Sequence, residues 1–544
     1  MNLPGLMHVC LHVDEILRLI ARELVVPGAK GTAVALACCC KSFEDPVLDT
    51  LWETQTRLFH LLKSCPGVIW DEGRWAVSAP TAYHLFPLNC LILKRLESIL
   101  TTRELDRFGK YARRMRKLHD NHCLPVEALS LVQQYTADEP LLPNLETLNL
   151  YAAGGKLVPL IPVFLSPRTT AVSIGFSPCT HDHKTMIASV ITALPTLCPN
   201  LRKISLKSFP RDPAITAAIS RMVLASNRNT LRSFRVDFPL AEEASEVIYQ
   251  LPGLRKLWTV IEEDTSLPSM TLPNLTSLAI ECNCDNGLSR VLREATLGKL
   301  ESVTFDSSSE QVGDPLEAFE KAAHAASAQN TLSRICIHTS HPWNPNYSSL
   351  LPYTQVACLA IVFPCHVRCS STVDDEVIIN LARAMPKLKI LRLGDRPCGK
   401  SPTGVTVKGL VVLAYHCPHL STLRVHFRVA SLSAPPAITE AASNVGSAAL
   451  RRDCSLKLLN AGEIPILAES VLVVALTLAR IFPHIEDIES SDMNWVKVVR
   501  AISTSREIID CSGEDHPLAP PRSTFSVIPP QEPYSKTAVN QETV

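Results

Sequence analysis

The sequence predicts an α/β chain: an all-helical N-terminal segment, then an array in which one strand and one helix repeat side by side. Three observations predict it. A short phrase recurs as "LPNLETLNL" (142–150), "CPNLRKISL" (198–206), "RNTLRSFRV" (228–236), "LPGLRKLWTV" (251–260) and "LPNLTSLAI" (272–280). It returns as "LGKLESVTF" (297–305), "QNTLSRICI" (329–337), "MPKLKILRL" (385–393) and "CPHLSTLRV" (417–425), with weaker copies at 168–176 and 354–362. Between the copies lie helical patterns such as "KTMIASVITALPTL", "DEVIINLARAM" and "VKGLVVLAYH", whereas the first 135 residues carry no copy and read as helical throughout. The common form is [LC]-P-x-L-x-x-L-x-[LIV], with successive copies 21 to 32 residues apart. That phrase at that period is the mark of a leucine-rich-repeat solenoid, in which no unit can bury its apolar face alone and the units must stack.

Taken in order, "DEILRLIARELV" (14–25) places Ile16, Leu17, Ile20 and Leu24 at helical spacing, with Asp14 able to cap its start. Pro27-Gly28 and Lys30-Gly31 break the pattern, and a second helix, "TAVALACCCKSFEDPVLDTLW", follows with Pro46 expected to divide it. Together these form a helical head, residues 1–56. "LNCLILKRLESIL" and "RELDRFGKYARRMRKL" continue helically through a linker, 57–138, and the repeat array occupies 139–427. Residues 428–456, rich in Ala, Ser and Pro, read as an irregular loop or insertion. Residues 457–502 read as terminal capping helices around "AESVLVVALTLARIF", and 503–544, Pro- and Ser-rich without periodicity, as a disordered tail.

Composition narrows the function classes. With 53 basic and 53 acidic residues, the chain has no electrostatic lean towards nucleic acid or anionic lipid, and neither partner is expected. Its longest apolar stretch, "VLVVALTLA" (471–479), is about half of a bilayer span, and the N-terminus has no basic segment ahead of an apolar one. The 19 cysteines are scattered, odd in number and include the run Cys38-Cys39-Cys40, which suits reduced, mostly buried small hydrophobes. A protein of the cytoplasm or nucleus is expected.

The segment "HVDEILRLIARELV…AVALACCCKSFEDPVLDTLW" (12–52) resembles the F-box. Glu15, Ile16, Leu17 and Ile20 match the opening Leu-Pro-x-Glu-Ile-Leu-x-x-Ile; Leu36, Cys40, Lys41 and Phe43 match the Val-Cys-Lys-x-Phe/Trp centre; Leu51 and Trp52 match the Leu-Trp close. Val13 stands in place of the family's Pro and Cys39 in place of Val. A head of this kind before a degenerate leucine-rich array is similar to the large fungal F-box families. The resemblance implies a non-catalytic receptor subunit of an SCF-type ubiquitin ligase. Its F-box would dock the Skp1 adaptor, and through it a cullin–RING ligase, while the repeats capture a protein substrate. Candidate Skp1-binding residues are Val13, Glu15, Ile16, Leu17, Ile20, Leu36, Cys39, Phe43, Leu48 and Trp52. The alternative is an interaction scaffold uncoupled from any ligase.

In each repeat strand the leucine positions point inward and the intervening ones outward. The outward positions give Lys203, Lys207, Arg235, Lys256, Arg334, Arg392 and Arg424, with Trp258 as an aromatic anchor and Asp237, Glu281 and Asp306 opposing the cations. Such a strip suits an acidic or phosphorylated protein segment, which arginine binds in bidentate fashion.

One segment points elsewhere. Residues 394–401, "GDRPCGKS", match the phosphate-loop pattern G-x-x-x-x-G-K-[ST] just after a predicted strand. Pro397 removes an amide that such a loop needs, and Pro402 biases Ser401 away from the helix that should begin there, so a repeat-connecting turn is expected instead of a nucleotide site. "CTHDHK" (179–184), "HDNHC" (119–123), "CNC" (282–284) and "CHVRC" (365–369) lack a second ligand pair at zinc-site spacing. No catalytic motif is present, and no cofactor or metal is expected.

Overall fold

The computed structural model describes residues 13–25, 30–64, 68–71, 92–96, 102–120, 129–130, 133, 139–152, 155–176, 183–207, 212–225, 230–262, 269–282, 295–307, 315–340, 345–363, 373–394, 404–432, 454–462 and 464–512. The chain divides into two units, residues 1–328 and 329–544.

The first unit opens with three helices, α1 (Asp14–Leu24), α2 (Lys30–Cys39) and α3 (Lys41–Glu53). The break between the last two falls at Cys40, which is extended (φ −154°, ψ 142°), and not at Pro46 as the sequence suggested. Cys40 bends the chain, and its carbonyl accepts the amide of Phe43. Pro46, six residues into α3, fits the helical φ and is carried inside the helix.

After the helices come β1 (Thr54–Gln55), β2 (Val68–Asp71), β3 (Ile92–Leu96), β4 (Lys117–Asp120), β5 (Thr147–Ala152), β6 (Ala171–Phe176) and β7 (Lys203–Lys207). They are followed by β8 (Ser233–Pro239), β9 (Lys256–Ile261), β10 (Thr271–Leu272), β11 (Ser277–Cys282), β12 (Thr296–Leu297) and β13 (Ser302–Ser307). Strands β1, β4–β9, β11 and β13 lie side by side in that order, all parallel, while β10 and β12 form a separate short parallel pair. Two readings of the linker change here. "LILKRL" is a strand paired antiparallel with β2, an example of a short apolar run that fits either period. The parallel array also starts early, because β1 and β4 pair ahead of β5.

The second unit stacks β14 (Arg334–Thr339), β15 (Cys358–Val362), β16 (Ile390–Leu393), β17 (Thr422–Arg424), β18 (Leu458–Gly462) and β19 (Asp487–Ser490), again parallel and in sequence order. Its last helix, Asn494–Ser512, continues past residue 503. Most of 428–456 lies outside the described residues.

All eleven copies of the phrase end in one of these strands, and its three apolar positions explain why. Leu148, Val172, Ile204, Phe234, Leu257, Leu278 and Val303 are in register across the first unit and buried. Ile335, Leu359, Leu391, Leu423, Leu459 and Ile488 do the same in the second. In the long stacks, β5–β9, β11, β13 and β15–β19 are each joined to the strand before by the same device: two consecutive amides donate to one carbonyl. Arg232 and Ser233 share Arg202, Arg255 and Lys256 share Arg232, and Lys389 and Ile390 share Ala357, at 2.7 to 3.0 Å. The Asn of the phrase adds a side-chain link, with Asn274 donating to Pro252 O at 2.7 Å and Asn144 to Arg113 O at 2.6 Å. Helices such as Lys184–Leu197, Pro213–Ala225 and Asp375–Ala384 cover the other side of the leucine rows. Each unit is therefore a leucine-rich-repeat-type stack whose uncovered strand face is set by alternation.

Candidate functional site

The head has a small core of its own. Leu17, Ala21, Ala33, Phe43 and Val47 are buried together, with Leu24, Leu36 and Leu51 packed against them. Of the residues proposed from sequence to meet an adaptor, Leu17 and Phe43 thus point inward, Ile16, Leu36 and Leu48 are half-buried, and Glu15 and Cys39 are exposed. Cys39 donates its thiol to Ala35 O at 3.2 Å. Trp52 faces the opposite way and stacks on Tyr111, ring centroids 4.7 Å apart.

Four large apolar residues of the head are left open beside its charged ones. Val13 (39% exposed), Leu19 (58%), Ile20 (37%) and Val34 (51%) face outward from α1 and α2. Sequence reasoning missed Leu19 and Val34, because helical spacing identifies an apolar stripe but not the apolar residues left beside it. The acidic edge of α3 is held from behind. Arg114 pairs with both Asp45 and Asp49, Arg18 with Asp49 at 3.1 Å, and Lys110 with Glu44 at 3.1 Å. With the Trp52 stack and the β1–β4 pairing, these contacts fix α3 to the start of the repeats.

A second surface lies on the uncovered strand face of the first unit. Register aligns His119, Asn149, Ser173, Ser205, Arg235, Trp258, Ala279 and Thr304 in one row. The row two residues earlier runs Lys117, Thr147, Ala171, Lys203, Ser233, Lys256, Ser277 and Ser302. Lys207 lies two residues beyond Ser205. The small residues open a cavity of about 320 Å³ lined by Lys203, Lys207, Arg235, Lys256 and Trp258. All five sequence-selected residues of this unit come together there.

The Arg235 guanidinium carbon sits over the Trp258 ring, 3.7 Å from its centroid, so the aromatic is half-buried beneath a cation instead of standing free. Such a stack contributes about 0.5–2 kcal/mol. Burial pushes the Arg235 and Lys207 pKa values down; Asp237 and Glu281 oppose this for Arg235, and Arg235 itself adds to it for Lys207. None of Lys203, Lys207, Arg235 and Lys256 forms an ion pair with a described residue. Ser205 Oγ, Arg235 Nε and Trp258 Nε1, on three successive strands, are each buried without a hydrogen-bond partner. Leaving a buried polar group unsatisfied costs about 1–3 kcal/mol.

The second unit carries Arg334, Arg392 and Arg424 on its own uncovered face. Arg392 and Arg424 are side-by-side register partners, and Arg334 stands beside Cys358. A hydrogen bond from Cys336, helped by Arg334 and Arg392 against burial, lowers the Cys358 thiol to about 6. Sequence reasoning passed over this thiol pair, whose members lie in different repeats.

The phosphate-loop match falls mostly outside the described residues. Gly394 closes β16 in the left-handed region (φ +86°) and donates to Ile361 O at 2.8 Å. The next helix starts at Val407 behind an N-cap at Thr406, and its amides are already occupied. Asp375 accepts from Thr406 N at 2.7 Å and from Gly409 N at 3.1 Å, and a Cβ at Gly409 would meet that carboxylate at 2.5 Å. The first turn of that helix is thus capped by a carboxylate of this chain. The clusters near 179, 123, 284 and 365–369 lie largely outside the described residues; among the described residues, no three metal-binding side chains converge. No described helix is long and apolar enough to cross a membrane.

No protein-family model matches this sequence, and no curated protein does. Among solved structures, the chain is similar to one from the yeast Rad7–Elc1 complex at 18% identity and TM-score 0.34, over 69% of this chain and 87% of that one. It is also similar to the leucine-rich repeat-containing protein LegL7 of Legionella pneumophila at 12% identity and TM-score 0.29, over 58% of this chain and 94% of that one. Likeness of this degree decides nothing about function, and the repeat architecture stands on its own registers and leucine rows.

Proposed function

We propose that this chain is a substrate-recognition subunit of an SCF-type ubiquitin ligase. Its head docks the Skp1 adaptor, and through it a cullin–RING ligase, by an apolar helical face, and its repeats hold a protein substrate that is acidic or phosphorylated. The observation that carries the reading is the set Val13, Leu19, Ile20 and Val34, exposed on α1 and α2 of a head whose α3 is tied to the start of the repeats. Exposed apolar residues grouped at one end of a protein mark a protein-binding site. The chain contributes no ubiquitin-transfer chemistry and acts in the cytoplasm or nucleus.

The basic strip supports the substrate half of the reading. In the first unit its cations Lys203, Lys207, Arg235 and Lys256 form no ion pair among the described residues and lie over small residues, an arrangement suited to an extended acidic segment. The head is tested by Skp1 co-purification with the double variant Leu19→Asp plus Ile20→Asp, which charges the open face and leaves Leu17 in its core. Loss of Skp1 is expected; unchanged capture would leave the scaffold alternative, an interaction protein uncoupled from any ligase.

A further inference from the structure

We propose that Cys358 is an oxidation site: a hydroperoxide converts its sulfur to a sulfenic acid, which a small free thiol of the glutathione type then caps as a mixed disulfide. The site lies in the second unit and stands apart from the adaptor-docking reading of the head.

This unit holds two thiol pairs that join different repeats, and the contrast between them carries the proposal. Cys417 and Cys454 are fully buried. The Cys417 thiol donates to Met385 O at 3.6 Å and to Ala382 O at 3.8 Å, and the Cys454 thiol to Cys417 O at 3.7 Å. Thiols held in this way act as small hydrophobes. Cys336 follows the leucine-row residue Ile335 and Cys358 precedes Leu359, so alternation turns both to the uncovered face. Cys336 is half-buried there and Cys358 is 8% exposed.

Around Cys358 the charge is of one sign. The Cys336 S–H donates to its sulfur, and Arg334 is its register partner on one side. On the other side Arg392 lies two residues beyond its partner Ile390. The remaining positions on this face of β14–β17 are His338, Ala360, Val362, Ile390, Thr422 and Arg424, with no carboxylate among them. The row through Cys358 reaches a carboxylate only at Asp487, on β19. One hydrogen bond and two guanidiniums thus favour the thiolate, the form that attacks peroxides.

The thiolate attacks one peroxide oxygen, the O–O bond breaks, and the sulfur keeps that oxygen as S–OH. The other oxygen leaves as hydroxide and takes a proton from solvent, so sulfur is oxidised and the peroxide reduced. In the second step an S–S bond forms, the S–O bond breaks, and water leaves with the incoming thiol's proton. Register excludes Cys336 as that second thiol. It is one strand over, about 4.8 Å, and two residues along, about 6.6 Å, which separates the Cα atoms by about 8 Å. A disulfide spans at most about 7 Å without backbone movement. Cys336 is therefore a positioning residue, and the sulfenic acid is left to a diffusible thiol. Glutathione suits the surroundings, because Arg334, Arg392 and Arg424 can receive its carboxylates.

The test treats reduced full-length protein with hydrogen peroxide at pH 6, traps sulfenic acid with dimedone and maps the adducts by peptide mass spectrometry. A second arm replaces dimedone with reduced glutathione. Cys38 and Cys39 serve as internal standards, since they are exposed and exposure alone would make them react first. At pH 6 a thiol lowered to about 6 is half ionised, against about one part in a thousand for a thiol at the ordinary 9.0. Its weaker basicity offsets about twentyfold of that gain. Cys358 is expected to be trapped at least about tenfold faster than Cys38 and Cys39, and to carry glutathione in the second arm. Cys336→Ala should slow trapping by about fivefold, whereas Cys336→Ser, which keeps a donor, should slow it by less than about twofold. Arg334→Gln and Arg392→Gln should each slow it by about threefold. Melting curves accompany every variant. Trapping of Cys38 and Cys39 ahead of Cys358 would overturn the proposal, as would a Cys336–Cys358 disulfide as the main product. Unchanged trapping in Cys336→Ala with an unchanged melting temperature would overturn the role given to Cys336.

Discussion

The head and the first repeat unit present two protein-binding surfaces made by opposite means. The head keeps Leu17 and Phe43 for its own core and leaves Leu19 and Val34 in water. The repeat unit buries every leucine-row residue and leaves lysine and arginine over a floor of serine. In the head, binding energy would come from covering apolar area and should depend little on salt. On the strip it would come from partly buried charge, and should depend strongly on salt. One chain thus separates a constant adaptor contact from a selective substrate contact by choosing which side-chain class it leaves exposed.

The largest expected effects test that division from inside each region. Leu17→Asp puts a charge into the head's core and should destabilise it by about 4 kcal/mol or more in chemical unfolding, whereas Leu19→Asp should stay within about 0.5 kcal/mol. Phe234→Ala removes the core residue one position before Arg235 and should cost about 3–5 kcal/mol in the same measurement. If Leu17→Asp were as harmless as Leu19→Asp, the assignment of core and open face in the head would fail.

Salt offers the next contrast. Raising NaCl from about 0.05 to 0.5 M should weaken binding of an anionic peptide by about tenfold, and change adaptor capture by less than about twofold. Similar slopes for the two would remove the distinction.

Smaller effects come from the thiols of the second unit. Cys358, lowered to about 6 by Cys336, Arg334 and Arg392, should alkylate with iodoacetamide at a rate that rises between pH 5 and 7 and then levels. Cys417, raised to about 12 by burial and by Cys454, should remain inert in the folded protein. The linked stabilities have opposite signs. A folded value below the ordinary thiol value of 9.0 makes the Cys358 contribution full above that pH and lost as pH falls towards 6. A folded value above it makes the Cys417 contribution full below pH 9.0 and lost as pH rises towards 12. Peptide mass mapping of the alkylated protein distinguishes the two thiols.

The repeat architecture was legible because its signal is long-range and redundant. Eleven phrases anchor eleven strands, and once Leu-x-x-Leu-x-Leu sets the phase, period-two alternation places Lys203, Arg235, Lys256, Trp258, Arg392 and Arg424 on the uncovered face. Strands without the phrase were not visible. Thr54–Gln55 is too short to show a period, and "LILKRL" satisfies both the helical and the strand pattern. The break at Cys40 escaped notice because Pro46 is the stronger written signal. Within the sites, what sequence could not supply was contact between repeats. Ser205, Arg235 and Trp258 are 30 and 23 residues apart, and only register makes them neighbours. The same limit hid the Cys336–Cys358 pair. In the head, the open residues depend on which helix covers which, information that a single helical period does not contain.

The most direct test of the account is Skp1 capture by the full-length protein carrying Leu19→Asp and Ile20→Asp, with its melting curve recorded beside it. The account predicts an unchanged melting temperature and loss of Skp1. An unchanged melting temperature with Skp1 still bound at the wild-type level would contradict it.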